Sequence, residues 1–341
     1  MVKAVPAGGL LILDLESDER PIWSQTSSYY NTTFIWNMLH NFGGRTGMYG
    51  QLDTIATLPA SALATNATTG VLMGIGLTPE AIESNPVVYD LMMENTWRGL
   101  EGVQDLDAWI EQYVSRRYAG ALPSPIFQAW AIMQNTVYNC NVSQQGTSGS
   151  VFAAPPAFNI TKVSCCAPSA PYYNTAELQA ALLFMLEAGN MAGEQLTQQE
   201  TYQYDIVMLT SQVMSNLGYN LMTNFSHAYT SKNLHAFNAT SVVFLELIAD
   251  MDTLMGTKEL FLFGAWIANA TRWATNTSVT EDGTCDGSGT RINCAPSGVT
   301  ADTCEELNCC WNSTTLNVPW CFYNNLTDYQ ILMLNARTQV G

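Results

Sequence analysis

Two polar signals at the ends of apolar runs carry the residue types for chemistry. His40-Asn41 closes the run Phe34–Leu39 and opens a loop with glycines at 43, 44, 47 and 50. Glu80 closes a second run, Val71–Leu77, after Thr78-Pro79. Glycine lets a backbone turn tightly and lie close to a ligand. A carboxylate and a His-Asn pair at the carboxyl ends of buried parallel strands are parts from which an α/β barrel builds an active site. Two blander accounts fit the same residues. His40-Asn41 could be a surface turn after a buried strand, and Glu80 an acid that follows a proline to start a helix.

The elements that must hold these groups change character along the chain. Leu10–Leu15, Phe34–Leu39 and Val71–Leu77 read as strands in a strand–loop region. From Pro86 onward the spacing becomes helical. Leu106, Trp109, Ile110, Tyr113 and Val114 share a face, Asp105 supplies a cap and Arg116-Arg117 suit the carboxyl end. Further amphipathic helices are expected over 125–139, 175–190, 201–231, 238–256 and 260–275, with a Gly/Ser/Pro-rich insertion near 141–172. The Met and aromatic positions on these helices fit a core rather than a cofactor box.

The 341 residues carry 12 Lys+Arg against 29 Asp+Glu, a formal net charge of −17. That excess argues against binding a nucleic-acid backbone, which needs basic clusters. It would also repel a polyanionic glycan at neutral pH, less so in an acidic lumen, and it serves solubility equally well. No window holds 18 uninterrupted apolar residues, so no membrane span is expected. Ten Asn-X-Ser/Thr sequons occur, at Asn31, Asn66, Asn141, Asn159, Asn224, Asn238, Asn269, Asn276, Asn312 and Asn325. Together with paired cysteines they point to the secretory pathway, lysosomal or extracellular. The amino-terminal apolar run, Gly8–Leu13, is too short for a signal peptide, so residue 1 is expected not to be the natural start of the secreted protein.

Six of the nine cysteines, at 285, 294, 304, 309, 310 and 321, fall within 37 residues. A segment that small needs covalent staples. Zinc is the competing reading, but its clusters usually show repeated Cys-X2–4-Cys pairs, and Cys304–Cys309 is the one such spacing here. Six cysteines leave 15 connectivities open. Cys140 is expected to pair with Cys165 or Cys166, closing the insertion and leaving one thiol over.

Trp36–Gly50 (WNMLHNFGGRTGMYG) and Gly74–Met92 (GIGLTPEAIESNPVVYDLM) closely resemble the α-N-acetylglucosaminidases, glycoside hydrolase family 89. Leu10–Trp23 is similar to that family's preceding barrel strand. The resemblance continues more weakly to about Trp273 and resumes at Asn335–Gln339. It implies retaining exo-hydrolysis of terminal α-linked N-acetylglucosamine, as from heparan sulfate-like chains, with no cofactor or metal. Glu80 would be the nucleophile, His40 and Asn41 would contact the sugar, and Trp36 would pack the strand or wall the pocket. Arg117-Tyr118 matches a family segment, although Ala119 replaces its glycine, and is expected to hold the helical domain against the barrel. Tyr204-Asp205 resembles a family Tyr-Asp pair and is a candidate substrate contact, although Gln203 stands where Arg is usual. The family's acid/base lies on an earlier strand, and neither Glu16 nor Glu19 belongs to its motif. The implied partner is therefore the amino-terminal part of the barrel, in the same or a separate chain.

Arg291–Cys294, Cys309-Cys310-Trp311 and Pro319–Phe322 resemble a trefoil (P-type) domain. That resemblance implies the pairs Cys285–Cys310, Cys294–Cys309 and Cys304–Cys321, with Trp320 and Phe322 either as cleft aromatics or as mini-core packing. The expected fold is therefore α/β plus α. The last strands of a partial (β/α)8-type barrel occupy 1–85 and a mainly helical domain 86–282. A small disulfide-rich trefoil is inserted at 283–324, and the helical domain continues over 325–341. The rival to the hydrolase is a non-catalytic secreted glycoprotein, a carbohydrate-binding or structural module in an extracellular assembly.

Overall fold

The computed structural model describes residues 4–6, 8–81, 84–142, 144–155, 157–164, 166–274, 291, 299–306, 309–314, 318 and 320–322, without the side chains at 265, 266, 269 and 272–274. The expectations for Cys165, Cys285, Cys294, Asn276, Asn325, the Asn269 side chain and the helical piece over 325–341 lie outside these residues. The chain divides into two compact units, Met1–Leu262 and Phe263–Gly341.

The first unit opens with a parallel sheet in the order β1 (Ile12–Asp14), β2 (Phe34–Met38), β3 (Leu72–Leu77). Phe34, Trp36 and Met38 on β2 are fully buried, and they join Leu52, Ile55, Val88 and Leu91 in one core. Ile12 pairs with Phe34 and Asp14 with Trp36. Between Phe34 and Ile35 the β2–β3 register shifts, so that Phe34 faces Leu72 but Ile35 faces Gly74. The outer strands are apolar yet open: Leu11, Leu13, Leu15, Met73 and Leu77 are exposed.

A helix absent from the sequence reading, α1 (Leu52–Thr65), makes the crossover from β2 to β3. Pro59 lies inside it. A proline removes the amide that would bond the carbonyl four residues back, which discourages a helical reading. Here that carbonyl, on Ile55, accepts from the Asn95 side chain at 2.9 Å. The Val103 amide donates to the next one, on Ala56, at 3.2 Å.

The helical part follows as α2 (Pro86–Arg98), α3 (Leu106–Arg117), α4 (Ser124–Asn135), α5 (Thr175–Ala192), α6 (Glu200–Thr230) and α7 (Leu234–Met255). Asp105 caps α3 as its sequence suggests, accepting from the Ala108 amide at 2.9 Å. Successive members of the series α4 to α7 pack on one another. By length and composition α7 could cross a membrane, with a mean hydropathy of 1.2 and little of it buried. Polar residues break its sequence, so it holds no long uninterrupted apolar run.

Cys140 does not form the expected disulfide. Its thiol is free and buried, donates to the Val142 carbonyl at 3.5 Å, and is pushed by burial up to about 11. Its amide is pinned to Gly50 at 2.8 Å. Backbone bonds close the insertion instead, from Gly149 to Pro168 at 2.8 Å and from Val163 to Ala167 at 2.9 Å. Asn66 is also buried. Its amide nitrogen donates to Ala62 at 2.8 Å and its oxygen accepts from Ser28 at 2.5 Å, so this sequon leaves no room for a glycan.

The second unit contains α8 (Phe263–Ala274), α9 (Ala301–Glu306) and an antiparallel pair, β4 (Cys310–Trp311) with β5 (Cys321–Phe322). Cys304 and Cys321 form a disulfide with Cα atoms 5.8 Å apart, the pairing the trefoil resemblance implies. Cys309 and Cys310 each take part in a disulfide as well. Phe322 is buried beneath the Arg291 guanidinium, 4.4 Å from its ring centre, whereas Trp320 is exposed and meets Trp311 edge-on at 6.1 Å.

Candidate active site

The carboxyl ends of β2 and β3 are laced together. The Thr78 amide donates to Met38 at 3.0 Å and the Glu80 amide to Asn41 at 3.1 Å. The exposed Glu80 carboxylate accepts a hydrogen bond from the Gly43 amide. Gly43 has φ +71°, a conformation that costs glycine nothing and aims its N–H at the acid. Glu80 and the His40-Asn41 loop, 37 or more residues apart in sequence, thus share one surface.

His40 is buried with φ +55°, a strained value for a residue bearing a Cβ. Asp18 holds it there, its two oxygens accepting from the Leu39 and His40 amides, each at 3.0 Å. The imidazole stacks on Tyr49 at 5.5 Å and meets Tyr89 edge-on at 5.3 Å. Its Nε2 lies 3.3 Å from the Asn85 amide nitrogen. That amide group donates, so Nε2 accepts and the proton sits on Nδ1. Among the described residues neither His40 Nδ1 nor Asn41 Oδ1 has a protein partner, though both are buried. A buried donor and acceptor left open on one loop suit a polar ligand.

Further contacts brace the loop. Arg45 donates to the Phe42 carbonyl at 2.8 Å, to Thr147 at 2.9 Å and to Gln145. Asn85 donates to Gly47 at 3.0 Å and accepts from the Tyr49 amide at 3.2 Å. Gln51 donates to Glu19 and Gln145 to Glu16, both at 2.6 Å, which gives those two acids tethering roles. Asp18 and Asn85 were not legible as site residues. Their only signal was that they lie inside family-like segments, Asp18 in Leu10–Trp23 and Asn85 in Gly74–Met92.

The other candidates are engaged elsewhere, although Tyr204 and Asp205 line a small cavity with Met48 and Asn85 behind the loop. Trp36 is fully buried in the strand core. Tyr204 stacks on Phe261 at 5.6 Å. Asp205 is clamped by Arg117 at 2.5 and 2.7 Å and by the Tyr118 hydroxyl at 2.6 Å, and Tyr118 in turn accepts from Trp130 at 3.1 Å. Burial alone would lower the Arg117 guanidinium, but the Asp205 carboxylate outweighs it and raises it, keeping the cation.

The Asp18–His40 contact has opposed titrations. Burial pushes the Asp18 carboxyl up to about 6, against a reference of 3.8, and pushes His40 down to about 3, against 6.5. Asp18 therefore contributes stability that is complete below its unfolded value and lost as pH rises through about 6. His40 contributes stability that is complete above its unfolded value and lost as pH falls toward 3. Between about pH 4 and 6 the two slopes, each roughly 1.4 kcal/mol per pH unit, cancel. Asp18→Asn is expected to uncover the His40 slope, losing about 2–3 kcal/mol on acidification from pH 6 to 4. Urea midpoints at pH 4, 5 and 6 measure it, and a variant that parallels wild type would refute the compensation.

Parallel strands joined by a helical crossover, with polar groups gathered at their carboxyl ends, define an α/β-barrel type of protein, here continued by a helical domain. Two family models match in succession: the α-N-acetylglucosaminidase (NAGLU) tim-barrel domain over residues 1–99 and the α-N-acetylglucosaminidase (NAGLU) C-terminal domain over 109–329. The chain belongs to the α-N-acetylglucosaminidase family. It is 33% identical over 270 residues to the human α-N-acetylglucosaminidase, covering 78% of this chain and 34% of that protein. It thus spans about a third of the length of this relative. The Clostridium perfringens family 89 glycoside hydrolase in complex with PUGNAc superposes with a TM-score of 0.70 at 32% identity, over 77% of this chain and 29% of that one. A form of the same hydrolase with two Glu-to-Gln substitutions, in complex with its substrate GlcNAc-α-1,4-galactose, gives 0.71 at 31%, over 78% and 29%. A short segment is 48% identical over 33 residues to rat trefoil factor 2, 10% of this chain and 26% of that protein.

Proposed function

We propose that this chain forms the nucleophile side of an α-N-acetylglucosaminidase active site. The observation that carries the reading is the junction of Glu80 with the Gly43 amide beside the open His40 Nδ1 and Asn41 Oδ1. In a retaining mechanism a carboxylate attacks the anomeric carbon while a second carboxyl group, roughly 5–5.5 Å away, protonates the departing oxygen. Water then releases the sugar from the glycosyl-enzyme ester, the second group acting as base. Glu80 takes the first role, and the Gly43 amide fixes one carboxylate oxygen so that the other faces the sugar. His40 donates to and Asn41 accepts from sugar hydroxyls. Asp205, its oxygens engaged, positions α3 against α6.

The acid/base residue belongs to barrel strands that pack beside β1. The exposed apolar side chains Leu11, Leu13, Leu15, Met73 and Leu77 support such a partner, since open strand edges invite pairing. The substrate is a glycan ending in α-linked N-acetylglucosamine, as in heparan sulfate-like chains. The disulfides and exposed sequons support passage through the secretory pathway to a lysosomal or extracellular site. The segment over 283–324 is a trefoil insertion. Its exposed Trp320 favours a second, compatible role in holding carbohydrate, with Phe322 committed to packing.

The natural full-length protein should hydrolyse an aryl α-N-acetylglucosaminide, and proton NMR should detect the α-anomer of the free sugar first. Absence of turnover, or the β-anomer appearing first, would overturn this reading.

A further inference from the structure

Away from the Glu80 surface, α6, α7 and the loop at 157–158 line an open hollow of about 520 Å³. Its wall is aromatic. Phe158 stacks on Phe225 at 5.7 Å and on Tyr229 at 3.8 Å, and Phe225 meets Phe237 at 4.5 Å. Helical spacing brings the lining together, with Met222 and Phe225 on α6 and Phe237, Ser241 and Phe244 on α7. Ser241 brings the one polar side chain, and its hydroxyl already donates to the Phe237 carbonyl at 2.7 Å. That leaves the lining no free side-chain donor and only the serine oxygen as an acceptor, too little to select a diffusing polar ligand.

Three sequons adjoin this wall, each next in sequence to one of its rings: Phe158-Asn159, Asn224-Phe225 and Phe237-Asn238. All three asparagines are exposed. The geometry points to a carbohydrate occupant carried by the chain itself, the innermost N-acetylglucosamine of N-linked glycans on Asn159, Asn224 and Asn238. The C–H face of a pyranose is weakly positive and complements the negative face of an aromatic ring, and the acetamido methyl suits an apolar floor. Each such contact is weak on its own. A free sugar would barely bind at that strength. A tethered one, at an effective concentration of roughly millimolar or more, would stay seated. The same glycans would hold a membrane or another protein away from the exposed flank of α7.

This inference rests on the secretory assignment and not on hydrolase activity, so the two can fail separately. The test uses full-length protein secreted from animal cells, mapped by glycopeptide mass spectrometry. At least one of Asn159, Asn224 and Asn238 should be occupied. Complete glycan removal from the folded protein should raise binding of an apolar fluorescent dye severalfold. Trimming that leaves one N-acetylglucosamine per site should raise it little. The triple change N159Q/N224Q/N238Q should match the stripped protein, whereas N31Q/N141Q should match the native one. Three unmodified asparagines, as a membrane-embedded α7 would give for Asn238, would overturn the inference. So would dye binding unmoved by stripping, or raised equally by trimming.

Discussion

Glu80→Gln in the full-length protein should lower turnover of an aryl α-N-acetylglucosaminide by about three to five orders of magnitude, the scale for loss of a group acting directly on the reacting atom. The fold should survive. Glu80 is exposed, and a glutamine carbonyl can still accept from the Gly43 amide. Surface changes of this kind usually shift stability by no more than about 0.5 kcal/mol. A companion Glu80→Ala variant separates chemistry from positioning. With the carboxylate gone, azide can occupy its place, attack the anomeric carbon as the aryloxide leaves, and yield the β-glycosyl azide. A structural role for Glu80 would show no such rescue. Normal turnover by Glu80→Gln, with unchanged urea midpoints, would remove Glu80 from the mechanism.

Asp205→Ala should be the costliest single change to stability. It strips Arg117 of both its close carboxylate contacts, at 2.5 and 2.7 Å, and leaves a largely buried cation and the Tyr118 hydroxyl without their acceptor. Breaking a buried pair from one side costs about 3–5 kcal/mol because the surviving charge is uncompensated. The double variant Arg117→Met/Asp205→Leu should recover much of that loss, since two apolar groups leave no orphan. Urea denaturation of the two single variants and the double one closes the cycle. If Asp205 instead contacts substrate, Asp205→Ala will raise KM at a nearly unchanged unfolding midpoint.

The strand ends were legible because their signal is local: an apolar run, then polar residues and glycine. Observed β2 and β3 agree with the runs at 34–39 and 71–77 to within a residue at either end. The crossover helix α1 was hidden because Pro59 reads locally as a breaker, and its repair comes from Asn95, far along the chain. Asp18 was hidden for a similar reason, since an acid in an acid-rich loop gives no hint that it will cap two amides across the sheet. The family-derived pairing of Cys304 with Cys321 agrees with the structure, while Cys140 was misread because cysteine count says nothing about burial. The left-handed backbone of His40 was hidden as well, because histidine enters that region more often than most residues but still only rarely.

The register shift between Phe34 and Ile35 gives β3 one more residue than β2 over the same span, at Met73. Everything downstream is displaced by that step, so Glu80, rather than its predecessor Pro79, meets the Asn41 carbonyl. Met73 points into the open and contributes little packing. It acts instead as a spacer, setting the phase of the carboxylate from seven residues upstream. A lineage that kept this methionine but paired it with Ile35 would keep its acid and its loop in the sequence, yet find them out of step.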